Sequence, residues 1–404
     1  MWPVFPVSQV APIVLAMLAS VAISIFAIQP AWGRARLVRI LAGLVFGTIL
    51  AGFVIWAAGA AQIGAGIVYT GVIVLAPAAF VLPIAAVMNR LAMRVAIGPS
   101  KTAKTKGDRI GRRAVIHTAT AALPAIAAVP GAVGLSNAKA PPTMPIVRLR
   151  FPDLHPDLEG LKILHLSDLH LGVHFQVEDL QRALAMAKEK HRPDLIVLTG
   201  DLADDPTLIP EALRTITKAN ARYGAIASLG NHEYLHGIEV TRPHYEASPV
   251  PLLVGTGRAV RIGRATLFIG GSDDPVHMGG DIAWMVSGSI EESMKHAPAS
   301  TDFKLLLCHR PEGHGPAAEQ GYDLTLSGHT HGGQIGLLGR SIFEKLRPGI
   351  GWWGSYVKKK PDGKPSRLYT TSGFGHWFPF RFGCPTEMPI VVLESAQPTR
   401  IEAA

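Results

Sequence analysis

The stretch Leu326-Ser327-Gly328-His329-Thr330-His331-Gly332-Gly333-Gln334 decides how the rest of the chain reads. A β-like run, Asp323-Leu324-Thr325-Leu326, leads into a glycine-rich loop with two histidines one residue apart. Imidazole is a common ligand for transition metals through either ring nitrogen. In an extended chain, residues at i and i+2 point to the same side and can share one ion. In a loop they can diverge toward two neighbouring ions. The glycines let the backbone turn sharply and approach a ligand closely. One such His-x-His says little alone; its weight comes from four upstream segments shaped the same way.

Leu161–Ser167 alternates and reads as a strand, ending in Asp168-Leu169-His170. Asp194–Thr199 is a continuous apolar strand ending in Gly200-Asp201, and Gly224–Leu229 ends in Gly230-Asn231-His232-Glu233. Phe303–Cys308 ends in His309-Arg310-Pro311-Glu312. Helical patterns over Val177–Lys190, roughly Leu208–Asn220 and Ile282–Met294 separate these runs. Short strands are further expected at Pro251–Val254, Ala259–Ile262, Thr266–Ile269, Leu368–Thr371 and Ile390–Leu393. Strands alternating with helices describe an α/β domain, whose ligand sites gather at strand carboxyl ends. Five strands ending in Asp168/His170, Asp201, Asn231/His232, His309 and His329/His331 make coincidence a poor account. Carboxylate, imidazole and amide without thiolate favour manganese, iron or zinc over Fe–S chemistry. If two such ions sit side by side, a carboxylate is the natural bridge, and the pair would clamp a phosphoryl oxygen and generate a hydroxide for in-line attack. A nearby histidine, His232, could stay unmetallated and protonate the leaving oxygen.

The 404 residues suffice for a membrane segment and one sizeable domain. The chain is 48% hydrophobic and 17% charged, an average over two unlike parts. Between Met1 and Met88 the only charges are Arg34, Arg36 and Arg39. Three apolar runs, Val10–Ile28, Ile40–Ala61 and Ile63–Met88, match the roughly 20 residues a bilayer crossing needs. A basic segment over residues 90–113 follows, holding Arg90, Arg94, Lys101, Lys104, Lys106, Arg109, Arg112 and Arg113 against the single acid Asp108. The net charge of +9 is therefore read as membrane orientation, not nucleic-acid binding. Positive loops stay in the cytoplasm, which places the basic segment inside. A weaker apolar stretch, Ala114–Leu135, follows the twin arginine Arg112-Arg113 and leads to Ser136-Asn137-Ala138-Lys139-Ala140. This pattern resembles an export signal, which would send the next domain outward; the alternative is a peripheral helix that leaves the domain in the cytoplasm. Residues 1–140 are thus expected to form a transmembrane region of three to four helices, residues 141–150 a proline-stiffened linker, and residues 151–396 the soluble domain. Cys308 and Cys384 are too few for a disulfide scaffold or a Cys-based zinc site. Buried thiols and one disulfide both remain open.

The series Asp168-x-His170, Gly200-Asp201, Gly230-Asn231-His232-Glu233, His309 and Gly328-His329-x-His331 resembles the calcineurin-like metallophosphoesterase superfamily. All five blocks are present in order between about residues 160 and 335. The loop Gly328–Gln334, the twin arginine, Gly373-Phe374-Gly375 and Arg381-Phe382-Gly383-Cys384-Pro385 are similar to its membrane-anchored YkuE/YaeI-type subgroup. The resemblance implies a four-layer α/β/β/α sandwich of two mixed sheets and two divalent metal ions (Mn2+, Fe2+ or Zn2+, with Mn2+ favoured). It places Asp168, His170 and His331 on one ion, Asn231, His309 and His329 on the other, Asp201 as bridge and His232 near the leaving group. The expected function is hydrolysis of phosphate esters, including lipid-linked ones, at the inner membrane of a bacterium, with the catalytic domain extracytoplasmic. A UDP-2,3-diacylglucosamine-type pyrophosphatase and an inactive membrane sensor or scaffold are the alternatives. No missing ligand favours the last.

Other residues support less. Glu233 reads equally as a group orienting a histidine or as a surface acid. His165, His174, His236, His314 and His376 read as surface residues. Arg310 reads as a phosphate contact or a structural ion pair. Trp352-Trp353 and the stretch Phe374–Phe382, with Trp377, Phe378 and Phe380, read as core or as a membrane-facing rim.

Overall fold

The computed structural model describes residues 7–28, 30–97, 133–274, 281–376 and 379–396, and the chain divides into two compact units, residues 1–137 with 378–380, and residues 138–377 with 381–404. The first unit is helical. Long apolar runs give Val7–Ala22, with Pro12 inside it, continued by a π-helical turn over Ile23–Ile28, then Arg36–Ala57 and the 37-residue helix Ala61–Ile97. Val10–Ile28 and Arg36–Ala57 are long and apolar enough to cross a membrane. The third expected run lies within Ala61–Ile97. The twin arginine, most of the basic segment and residues 114–132 lie outside the described residues.

The second unit carries two six-stranded mixed sheets. The first has the order β1 (Ile146–Phe151), β14 (Ile390–Ser395), β2 (Lys162–Leu166), β3 (Leu195–Thr199), β4 (Ala225–Ser228), β5 (Leu252–Leu253). The second runs β12 (Gly354–Lys359), β13 (Pro365–Thr370), β9 (Leu324–Ser327), β8 (Phe303–Leu307), β7 (Ala265–Gly271), β6 (Thr256–Ile262). Strands β2 to β5 are mutually parallel, as are β7, β8, β9 and β13. Near-continuous apolar strands such as Leu195–Thr199 demand cover on both faces, and they have it. Ile163, Leu195, Val197 and Ile226 of the first sheet meet Leu267, Ile269, Leu305 and Leu324 of the second in one core. On the far side of the first sheet, Leu180, Leu184, Leu213 and Ile216 from helices Val177–Lys190 and Ile209–Lys218 close a second core. Val286 and Ile290 of helix Ile282–Met294 cover the second sheet beside Phe268 and Leu306. The result is the four-layer α/β/β/α sandwich.

One boundary differs from expectation. Residues 146–150, read as linker, belong to the edge strand β1, which pairs with β14 in parallel register from Ile146↔Ile390 to Phe151↔Ser395. The preceding prolines obscured an alternation in which Leu149 and Phe151 face the core while Arg148 and Arg150 face solvent.

Candidate metal centre

Strands β2, β3, β4, β8 and β9 are adjacent or face one another across the sandwich, and their carboxyl ends open at one edge. That edge collects Asp168 and His170 after β2, Asp201 after β3, Asn231 and His232 after β4, His309 after β8, and His329 and His331 after β9. Five of these residues sit in the left-handed region: Asp168 at φ 53°, His170 at 48°, Asp201 at 53°, His329 at 66° and His331 at 49°. Non-glycine residues there each cost roughly 1–3 kcal/mol and cluster at functional sites. The backbone is also pressed together. A Cβ on Gly328 would lie 2.0 Å from both Asp168 Oδ2 and Ser167 Oγ, so only glycine fits between these strand ends.

The donor atoms form two groups around one carboxylate. In the first, His170 Nε2 lies 3.1 Å from His331 Nε2, and His331 Nε2 lies 3.4 Å from Asp168 Oδ1. In the second, His309 Nε2 lies 3.1 Å from Asn231 Oδ1 and 3.2 Å from His329 Nδ1. Asp201 Oδ2 stands between them, 3.1 Å from His309 Nε2 and 3.8 Å from His170 Nε2. All seven expected ligands and His232 are therefore brought together, and all but His232 and His329 are buried.

The placement of protons tests whether cations fit. His309 Nδ1 donates to the Thr199 carbonyl at 2.7 Å, and His170 Nδ1 donates to Asp204 Oδ1 at 3.1 Å. In the neutral rings each Nε2 then presents a lone pair to carboxylate, amide and imidazole acceptors that have no proton to give. Burial pushes both imidazoles toward neutrality, yet the surrounding carboxylates, Asp204 beside His170 and Asp201 beside His309, override it. They raise His170 to about 9 and His309 to about 10. The pocket calls for positive charge, and hard-to-borderline divalent ions suit oxygen and imidazole donors converging in this way.

Two residues outside the sequence-level set complete the site. Asp204 Oδ1 accepts from His170 Nδ1, from His232 Nδ1 at 2.7 Å and from His236 Nε2 at 3.4 Å. Burial pushes the Asp204 carboxyl up, but these three imidazoles outweigh it and hold the group well below the usual carboxylate range. His232 Nε2 is left 4.0 Å from Asp201 Oδ2, at the partly open rim. His236, read as a surface residue, is half-buried against Asp204.

Several weaker readings are corrected. Glu233 is buried and orients no histidine: it accepts from the backbone N–H groups of Gly230, Asp201 and Leu202 at 2.7, 3.0 and 2.9 Å, locking two strand-end loops together. His165, His314 and His376 are buried, not surface residues. Arg310 donates from Nε to Asp274 Oδ1 at 2.7 Å and from Nη1 to His329 Nε2 at 2.8 Å. Cys308 and Cys384 are both free and buried. Trp352 and Trp353 are half-buried and Phe374 and Phe380 buried, while Trp377 and Phe378 lie outside the described residues.

Comparison with known proteins gives the same picture. The family model for the calcineurin-like phosphoesterase matches residues 161–333, the span that holds every donor named above. The chain is 32% identical over 242 residues to the metallophosphoesterase YkuE of Bacillus subtilis, covering 59% of this chain and 80% of that protein. It is 27% identical over 258 residues to the phosphodiesterase YaeI of Escherichia coli, covering 61% and 87%. It is 29% identical over 294 residues to a zebrafish transmembrane protein with a metallophosphoesterase domain, covering 67% and 62%. The chain spans 65% and 62% of the length of two of the curated relatives it matches. On the motif series, the strand-end geometry and these matches, the chain belongs to the calcineurin-like metallophosphoesterase family.

Proposed function

We propose that the protein is a membrane-anchored phosphoesterase using two divalent ions, manganese foremost, and that it cleaves phosphate esters carried by lipids. The observation that supports this reading above others is the placement of Asp201 between two donor groups, each completed by imidazoles with lone pairs turned inward. In this reading Asp168, His170 and His331 hold one ion, Asn231, His309 and His329 hold the other, and Asp201 is shared. Bound there, the ions supply Lewis-acid polarisation of the phosphoryl group and a nucleophile at neutral pH. The chain's own groups do the rest. Glu233 fixes the loops that carry Asp201 and Asn231. Asp204 orients His170 through one oxygen and, through the same oxygen, sets His232 with Nδ1–H bound and Nε2 facing the site. His232 then carries the proton that the departing alkoxide needs, a general-acid role that contributes typically about 10²–10⁴-fold.

The membrane part of the reading rests on the two long apolar helices and on the basic residues that follow the third apolar run. Residues 1–137 are assigned to the bilayer and its loops, and the chain from Ala138 to the catalytic unit. The domain faces the extracytoplasmic side of the inner membrane, where lipid headgroups are the most concentrated phosphates. To test the reading, full-length protein in detergent is stripped of metal. It is then reloaded separately with Mn2+, Fe2+ or Zn2+ and given monoesters, diesters and nucleotide-linked lipids. Two bound ions per chain with metal-dependent hydrolysis are expected. Binding of no more than one ion, with no hydrolysis of any ester, would overturn it.

A further inference from the structure

Directly after the metal-site turn that carries His331, the chain makes a short excursion, Ile335–Arg347. Strands β10 (Gly336–Leu337) and β11 (Arg340–Ser341) pair antiparallel across the two-residue turn Leu338-Gly339, and a single helical turn, Phe343–Leu346, follows. Both turn residues have positive φ, 52° at Leu338 and 76° at Gly339. This is the tight hairpin turn whose two central positions favour Asn-Gly or Asp-Gly. Leucine occupies the first of them, and it is 95% exposed. The position therefore breaks two local rules together: a bulky side chain in a left-handed backbone, and a large apolar surface in water. At that exposure little among the described residues covers it, the pattern expected where a residue serves something outside the fold.

The neighbours share this character. Leu337 and Leu346 are also largely exposed, and Ile342, four residues before Leu346, is exposed beside them. Arg340, Lys345 and Arg347 are exposed around them. The only acid of the excursion, Glu344, is engaged by the Tyr356 hydroxyl at 2.8 Å. The base is firm. Gly336 N–H donates to the Phe382 carbonyl at 2.8 Å, and Phe382 N–H donates to the Gln334 carbonyl at 3.0 Å. Phe343 lies so close to Gly333 that a Cβ there would meet its ring at 2.2 Å. A stiff hairpin thus holds apolar side chains and three cations beside a metal-site histidine.

We propose that the Leu337-Leu338 tip wedges into the headgroup–acyl boundary of an anionic bilayer, with Arg340, Lys345 and Arg347 meeting lipid phosphates. Charge decides the occupant. Apolar tips ringed by lysine and arginine are the composition of interfacial membrane anchors, and anionic leaflets attract such clusters. The contact holds the site's mouth against the surface where a lipid-borne phosphate is presented. It rests on the membrane anchoring proposed above but not on the identity of the substrate.

The test uses the full chain in vesicles of phosphatidylcholine and phosphatidylglycerol. Leu337→Cys carries a polarity-sensitive fluorophore; the native cysteines are buried. Blue-shifted emission and at least about twofold quenching by lipids brominated along their acyl chains are expected. The same label on Lys190→Cys, an exposed position, should remain unquenched. Reversing Arg340, Lys345 and Arg347 to Glu should reduce quenching. Leu338→Asn, which suits the turn, should raise the melting temperature while reducing quenching of the label at 337. Water-like emission without quenching, quenching unaffected by Leu338→Asn, or crosslinks from position 337 to another protein in place of lipid would overturn the proposal. Turnover of a soluble ester is read in parallel. Absence of turnover of every soluble and lipid-borne ester by the unsubstituted chain would defeat the phosphoesterase reading and leave the quenching result standing on its own.

Discussion

Asp204 is the residue on which the two kinds of histidine depend. One of its oxygens orients His170, a proposed ligand, and His232, the proposed acid. Asn at this position preserves size but removes the charge that the three imidazoles share. Asp204→Asn is therefore expected to cut turnover roughly 10–100-fold, the usual cost of losing a group that orients a metal ligand. It should also weaken binding of one of the two ions. Unchanged metal content together with unchanged turnover would show that the carboxylate is only structural. His232 gives a cleaner separation. Replacing it by Ala should lower turnover about 10²-fold or more while two ions remain, and the deficit should shrink for esters with acidic leaving groups. A deficit independent of the leaving group would assign His232 to positioning. Why the sequence shows His232 but hides Asp204 is physical. His232 follows a strand inside Gly-Asn-His-Glu, whereas Asp204 sits in Ala203-Asp204-Asp205-Pro206, where acids ordinarily cap turns. Its neighbour Asp205 does cap one, accepting from Thr207 N–H at 3.0 Å. Only the convergence of three distant rings on Asp204 sets it apart, and linear spacing carries no trace of that.

Among the elements, the strand ends do the organising. Their apolar cores made them legible: the strands read at 161–167, 194–199 and 303–308 appear as Lys162–Leu166, Leu195–Thr199 and Phe303–Leu307, and the helices at 177–190 and 282–294 keep their bounds. Two of the four edge strands were not legible. β1 and β12 carry Arg148, Arg150, Lys358 and Lys359 outward, so half of each strand looks like loop, and β10 with β11 is too short for any period to register. The cluster of donor residues was legible for the same reason as the strands, since polar residues standing at the ends of buried runs have few structural excuses. The price of the arrangement is backbone crowding, and Gly328 shows it. Gly328→Ala would push a methyl carbon against Asp168 Oδ2 and Ser167 Oγ. It should destabilise the domain by roughly 1–3 kcal/mol, as overpacking does, and release metal disproportionately. Calorimetry with and without Mn2+ checks this: the metal-dependent gain in melting temperature should fall along with the melting temperature itself. A variant with the full metal-dependent gain would show that the strand ends can part without disturbing the site.

At the scale of the whole molecule, the catalytic unit buries imidazoles that stay neutral. Burial pushes His314 down to about 4, the Ser366 carbonyl opposing only in part, and burial pushes His165 down to about 3. The folded pKa lies below the unfolded value in both, so this contribution is complete above about pH 6.5 and is lost as pH falls toward 4 and 3. For His314 alone the loss is on the order of 3 kcal/mol. His314→Gln, which still donates to Ser366, should flatten the fall in melting temperature of metal-free protein between pH 6.5 and 4; an identical slope would remove His314 from the account. The other unit raises the question of which side of the membrane the chemistry occupies. Basic residues are concentrated between Arg90 and Arg113, and Arg34, Arg36 and Arg39 stand in the first loop, whereas the turn between the second and third apolar runs is uncharged. In the proposed topology, charge asymmetry of this kind would hold the basic loops in the cytoplasm, and the apolar stretch Ala114–Leu135 would carry the chain across. Because β1 begins at Ile146, few residues separate that stretch from the first sheet, so export of the stretch means export of the site. A reporter fused after Ala404 reads the outcome: alkaline phosphatase should be active there and a fluorescent protein that matures only in the cytoplasm dark. The reverse pattern would place the site in the cytoplasm. The proposed lipid-borne substrate would then have to be sought on the inner leaflet, with the hairpin contact at Leu337-Leu338 still open to the same quenching measurement.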